Sequence, residues 1–358
     1  MGNIQNYRHN VASHCESGSV RNLLKHSGMD ISEPTLFSIG SGLAFAYMVN
    51  QKGVGGFPVT AARLPMGSIV KNVQKSLKVD FFNKNFKTTE DAIKFADELL
   101  AKDIPAAICV DMYYMTYLPK FMQVHAPFHF VVLVGKEGDY YYISDPYYQE
   151  IGKLHIDMLK SAWETRAKFA KDNLIVYVKD IPKEIDWRPV IKKTLLRSCD
   201  NILIAPVIGD MLKIFGYRGI ELFAKDILTW PDKYRGLKFR EGMLFTPTIL
   251  EEQGTGGGAF RFLFGAFLKE AADKLNNPEL AEYAKKINII GEEWRDASRN
   301  MIKTAKEIPV DNKLYDDWFY ANEKQFREKI AEVSNLFDKI ALREKEFFTK
   351  LKRLANFL

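Results

Sequence analysis

The spacing of apolar residues changes near residue 180, and this change constrains the fold more than any other feature of the chain. Before it, strand-like runs at Ala106–Val110, Phe128–Val134, Tyr140–Ile143 and Leu174–Val178 mix with helical stretches. From Val190 onward β-branched runs become scarce, and apolar residues recur at helical spacing over Val190–Cys199, Gly219–Trp230, Phe260–Leu275, Pro278–Ile290 and Tyr315–Phe357. Asp180-Ile181-Pro182-Lys183 is turn-prone and marks the linker. The expected architecture is α+β, with a mixed domain over residues 1–181 and an all-helical domain over 182–358. At ~100–200 residues per domain, 358 residues are enough for both.

Local signals fill in the first half. Glu16–His26 places Val20, Leu23 and Leu24 on one side and is stopped by Gly28, so a helix begins close to Cys15. Thr88 or Thr89 caps a second helix, whose stripe is Ala92, Phe95, Ala96, Leu99 and Leu100. The turn Gly135-Lys136-Glu137-Gly138-Asp139 joins two β-rich runs into a hairpin over Phe128–Ile143, ended by Asp145-Pro146.

Composition excludes several classes. Apolar residues make up 47% and charged residues 27%, near the globular average, so the chain is neither disordered nor coiled-coil. A net charge of +6 is too thin over this length to imply nucleic-acid binding. Three cysteines, at positions 15, 109 and 199, form no CxxC pair, which suggests a reducing compartment, with cytoplasm as the default. The polar stretch Met1–Asn10 has no signal-peptide core, and no apolar run approaches the ~20 residues that span a bilayer.

Three groups carry potential chemistry: His14-Cys15-Glu16-Ser17-Gly18-Ser19 at a helix head, His125 and His129 around a strand start, and Ser144-Asp145-Pro146 at the partner strand's end. A thiol acts as a nucleophile when ionised, and both a helix N-terminus and a neighbouring imidazolium favour ionisation. The hairpin brings Asp145 opposite His129, where a carboxylate orients the ring and holds its tautomer. Cys109 and Cys199 sit in apolar runs and read as packing residues. His125 and His129 have the spacing of a helical zinc motif, but Pro127 and the following β run oppose a helix, so no metal is expected. Gly40-Ser41-Gly42 lacks the third glycine of a dinucleotide fingerprint, and Gly254-Thr255-Gly256-Gly257-Gly258 lacks the Lys-Ser/Thr pair of a P-loop. The N–H groups of Gly256 and Gly257, with Arg261 nearby, are a candidate anion contact; a tight interhelical connection is the plainer alternative. The aromatic clusters Tyr113-Tyr114-Met115-Thr116-Tyr117 and Tyr140–Tyr148 either line a cleft or pack in the core.

These motifs together resemble the butirosin biosynthesis protein H family. The first-half resemblance rests on His14-Cys15-Glu16-Ser17-Gly18 with Asn22-Leu23-Leu24, Ser32-Glu33, Gly40–Phe45, His129–Gly135 and Ile143-Ser144-Asp145-Pro146. In the second half it rests on Gly219-Ile220-Glu221, Trp230-Pro231 and Glu252–Arg261. The resemblance implies a papain-like cysteine peptidase fold for the N-terminal domain, with Cys15, His129 and Asp145 as the triad and no cofactor. It also implies acyl transfer from an acyl carrier protein thioester to an amine. A cysteine peptidase or amidase acting on a peptide, or a non-catalytic binding scaffold, are the alternatives. Papain-like proteases place a glutamine shortly before the cysteine; here the polar candidates for oxyanion donation are His9 and Asn10. His14, Glu33, Tyr113, Tyr114, Gly256, Gly257 and Arg261 complete the candidate substrate contacts.

Overall fold

The structure, a computed structural model, describes residues 4–52, 56–167, 170–204 and 214–358. In chain order the elements are α1 (Cys15–His26), α2 (Glu33–Ile39), β1 (Leu43–Lys52), β2 (Pro58–Arg63), α3 (Ser68–Leu77), β3 (Asp80–Asn85), α4 (Thr89–Leu100) and β4 (Ala106–Val110). There follow β5 (His129–Glu137), β6 (Tyr140–Ser144), β7 (Ile151–His155), α5 (Ile156–Trp163) and β8 (Leu174–Asp180). The remainder is helical: α6 (Trp187–Leu203), α7 (Gly216–Ile227), α8 (Trp230–Lys233), α9 (Gly236–Pro247), α10 (Arg261–Leu275), α11 (Pro278–Glu307) and α12 (Asn312–Phe357).

Two compact units divide the chain, residues 1–40 with 66–185 and residues 41–65 with 186–358. The boundary therefore falls at 185/186 rather than 181/182, and the β1–β2 ribbon joins the helices. The second unit is thus helical with one two-stranded ribbon. The reason is side-chain chemistry: β1 buries Phe45 against Trp294 (5.3 Å between ring centroids) and Tyr47 against Phe223 (5.1 Å), while the Tyr47 hydroxyl donates to Asp226 at 2.6 Å. Asn201 also donates to the Leu43 carbonyl at 2.9 Å. Only the helical unit satisfies these groups.

The first unit is built on a six-stranded sheet of order β3-β8-β4-β5-β6-β7, antiparallel throughout. Side chains alternate across it. Ile108, Val110, Val131, Leu133 and Ile143 face a core closed by Ala92, Ala96 and Leu99 of α4 and by Leu159, Ala162 and Trp163 of α5. On β5 the alternate positions Phe130 and Val132 lie outside that core, and α1 is tied to this strand by the Ser19 hydroxyl, which donates to the Phe130 carbonyl at 3.1 Å. The expected hairpin is present as β5–β6, with Val132 opposite Ser144. Thr88, not Thr89, caps α4 by accepting the Asp91 N–H.

Candidate active site

Two buried carboxylates fix the head of α1. Glu33 accepts the N–H groups of Ser13 (3.0 Å) and His14 (2.7 Å), and the Ser17 hydroxyl donates to it at 3.3 Å. Burial pushes the Glu33 carboxyl up, and these hydrogen bonds oppose the rise. His14 caps the helix, its ring nitrogen accepting the Ser17 N–H while its edge packs on Phe37 at 5.5 Å. Glu16 accepts the N–H groups of Gly67, Ile69 and Val70 at 3.0–3.2 Å. The N-cap of α3 is Gly67, which has no side chain, so Glu16 supplies the acceptor that α3 lacks. Cys15 is thereby held at the first position of a helix anchored on both sides.

The sheet supplies the rest. Extending the β5–β6 register from Val132 opposite Ser144 puts Asp145 opposite Val131, diagonal to His129 on the same face. Both Asp145 carboxylate oxygens lie 2.9 Å from His129 Nε2. The Cys15 and His129 side chains are hydrogen-bonded, and Cys15 Sγ lies 3.8 Å from the Phe128 carbonyl oxygen. With Nε2 on the carboxylate, Nδ1 is the ring nitrogen left for the sulfur. Asp145 accepts the Tyr147 N–H on Oδ1 and the Tyr117 hydroxyl on Oδ2, both at 2.8 Å. Tyr147 also lays its ring 4.8 Å from that of His129. Tyr117 reaches Asp145 by packing on Gly152, where an added Cβ would fall 2.7 Å from the tyrosine ring.

Burial alone would lower the imidazolium pKa of His129, but the Asp145 charge, the Asp145 hydrogen bond and Cys15 together push it up to about 10. Burial likewise acts to raise the Asp145 carboxyl, yet the His129 charge and hydrogen bonds from His129, Tyr147 and Tyr117 hold it below the usual carboxylate range. Side-chain NMR titration should find His129 still protonated beyond about pH 8. In Asp145→Asn, burial then acts without an opposing carboxylate, and the pKa should fall below histidine's ordinary ~6.5. A His129 that titrates normally in both proteins would contradict this electrostatic account.

The structure brings Cys15, His129 and Asp145 together and sends the other candidates elsewhere. His9 has Nδ1 2.8 Å from the Ser144 hydroxyl and Nε2 2.8 Å from the Tyr148 carbonyl, so both ring nitrogens are committed. The Asn10 amide donates to the Arg8 carbonyl at 3.0 Å. His9 therefore has no ring nitrogen left for an oxyanion, while Asn10 spends one of its two amide N–H groups on Arg8. His14, the N-cap of α1, and Glu33, the first residue of α2, are buried and spend their polar atoms on the head of α1. Tyr113 stacks on His125 at 4.1 Å, with Tyr114 edge-on to Tyr113, and His125 pairs with Asp111 at 2.9 Å. In the helical unit, the Gly257 N–H is taken by Thr255 and the Gly258 N–H by Glu251. A Cβ on Gly257 would meet Arg295 at 2.5 Å, so the loop that includes Gly256 and Gly257 is a tight connection, not an open anion cradle. Arg261 is fully buried in a two-pronged pair with Glu344. Among the described residues no cluster of His, Cys, Asp or Glu is arranged to hold a metal ion, and no helix is long and apolar enough to cross a membrane.

Sequence reasoning gave Glu16 no role and placed Tyr117 and Tyr147 only within aromatic clusters read equally as cleft or core. The position of Glu16 directly after a candidate nucleophile was a signal; the tyrosines lay within aromatic clusters that looked the same as core.

Two family models match successive stretches of the chain. The model of butirosin biosynthesis protein H, N-terminal, matches residues 14–146. That of a domain of unknown function (DUF4872) matches residues 157–351, more than half of the chain. Among curated proteins none matches. A solved structure described as a C39-like peptidase from Bacillus anthracis is similar at 16% identity and a TM-score of 0.35, covering 51% of this chain and 98% of that one. The N-terminal unit sets a cysteine-headed helix against an antiparallel sheet whose β5 carries the histidine and whose β6 leads into the aspartate. The chain belongs to the family that joins a butirosin biosynthesis protein H N-terminal domain to a DUF4872 domain.

Proposed function

We propose that the N-terminal unit is a cysteine-dependent acyltransferase that moves an acyl or aminoacyl group from a thioester to an amine. The observation that carries this reading is the hydrogen-bonded chain from Cys15 through His129 to Asp145, with the sulfur at a helix N-terminus. Thiolate and imidazolium form the resting pair. The thiolate attacks the donor carbonyl, a bond forms from sulfur to the acyl carbon, and the donor C–S bond breaks as His129 protonates the departing thiolate. An amine then attacks the acyl-cysteine. His129 takes the amine proton, the C–N bond forms, and Cys15 leaves as thiolate with the imidazolium restored. Asp145 holds the ring and stabilises its charge throughout. With both His9 nitrogens committed elsewhere, oxyanion donation falls to the backbone N–H at the start of α1, with the second Asn10 amide N–H as the side-chain candidate.

Membership in the butirosin biosynthesis protein H family favours transfer over hydrolysis, with an acyl carrier protein as donor and a small amine as acceptor. Intact-protein mass spectrometry tests this with a panel of acyl thioesters, each with and without amines. The expected result is an adduct on Cys15 that persists in water and is discharged by an amine to give an amide. Discharge by water at the same rate would make the protein a hydrolase. Absence of any adduct across the panel would leave a binding scaffold.

A further inference from the structure

A groove of about 790 Å³ lies in the N-terminal unit, within the ~300–1,000 Å³ typical of small-molecule sites. Its floor is apolar, formed by Val70, Val79, Phe130, Leu174 and Val176, all buried. Its rim is basic. Lys71 and Lys75 stand one turn apart on α3, Lys78 follows at that helix's C-cap, and Lys171 comes from the opposite wall. Lys171 Cε sits 3.8 Å from where a Cβ on Gly67 would lie, so the wall closes over the start of α3. Asp80 is the one acidic lining residue, and Lys179 already pairs with it at 2.8 Å. Among the described residues none of the four rim lysines has an ion-pair partner. Like charges one helical turn apart repel by a few tenths of a kcal/mol, and a bound anion relieves that cost.

The groove is tied to the candidate nucleophile through α3. The first turn of α3, which lines it, is held by Glu16, the residue after Cys15. We infer that the groove binds a small amphiphilic polyanion, the phosphate-bearing part of an acyl donor, with its chain on the apolar floor and its phosphates on the lysines. Lysines act on phosphate as point charges and do not need the planar fork that carboxylate recognition favours. Delivery of an acyl group to Cys15 rests on the function proposed above, whereas binding of the polyanion does not.

Calorimetric titration of the full chain with coenzyme A and with pantetheine, the same thiol arm without phosphates, tests this. Coenzyme A should bind about tenfold more tightly at about 50 mM salt, as two or three exposed ion pairs supply. That advantage should vanish near about 500 mM salt. Lys71→Gln with Lys75→Gln, and separately Lys171→Gln, should erode the advantage without changing pantetheine binding. Equal affinity for the two ligands, or a preference that survives both sets of substitutions, would overturn the inference. Coenzyme A binding with no adduct on Cys15 from any thioester would instead defeat the catalytic reading and leave the groove assignment standing. Adducts formed from neutral thioesters, with no phosphate preference, would do the reverse.

Discussion

Replacing Cys15 by alanine is expected to lower acyl transfer or hydrolysis by about 10⁴- to 10⁶-fold, the range seen when a nucleophile is removed from a coupled triad. Cys109→Ala and Cys199→Ala should keep full turnover. The contrast does not come from exposure, because Cys15 is 5% exposed, Cys109 3% and Cys199 0%. What separates them is surroundings. Cys15 is hydrogen-bonded to an imidazole held by a carboxylate, Cys109 faces the Pro127 carbonyl at 3.8 Å, and burial pushes the Cys199 thiol up. Reaction with iodoacetamide under native conditions should therefore follow ionisation and modify Cys15 first. Steady-state assays of the three alanine proteins, with peptide mapping of the alkylated wild type, measure both. Full activity in Cys15→Ala would remove the covalent mechanism, and preferential labelling of Cys109 would show that His129 does not activate the sulfur.

The core of this site was legible because each of its parts has a local signature. A helix start marks Cys15, a compact turn sets the β5–β6 pairing, and an Asp-Pro strand end places Asp145 near His129. Sequence reasoning failed where a buried polar group finds its partner far along the chain. Glu16 looked like a polar neighbour of the nucleophile, yet its acceptors are spent on backbone at 67–70. Tyr117 bonds Asp145 across 28 positions and depends on the space left by Gly152. The pairing of the β1–β2 ribbon with the helices was not legible, because Leu43–Lys52 does not show which apolar surface will cover it; Phe223 and Trp294 decide that from far downstream. His9 precedes Cys15 by the right kind of distance for an oxyanion donor, but Ser144 and the Tyr148 carbonyl claim both of its nitrogens.

The same long-range logic makes Glu344 the residue whose loss should cost the helical unit most. It is fully buried on α12 and accepts from Arg261 Nε at 2.7 Å, Arg261 Nη2 at 2.8 Å and the Trp294 indole N–H at 2.7 Å. The guanidinium also lies 4.8 Å over the Trp294 ring and donates to the Ala259 carbonyl. Glu344→Leu strands a buried cation and an indole donor together, at a cost of about 3–5 kcal/mol. That is a large part of the 5–15 kcal/mol that typically holds a domain folded. Adding Arg261→Met should recover most of the loss, because an apolar pair of similar volume leaves no charge to solvate. Urea unfolding followed by tryptophan fluorescence reads the cycle, with Trp294 reporting from the pair itself. A Glu344→Leu protein within about 1 kcal/mol of wild type would mean that water or a rearranged partner satisfies Arg261, and that this pair does not fix α10 against α12.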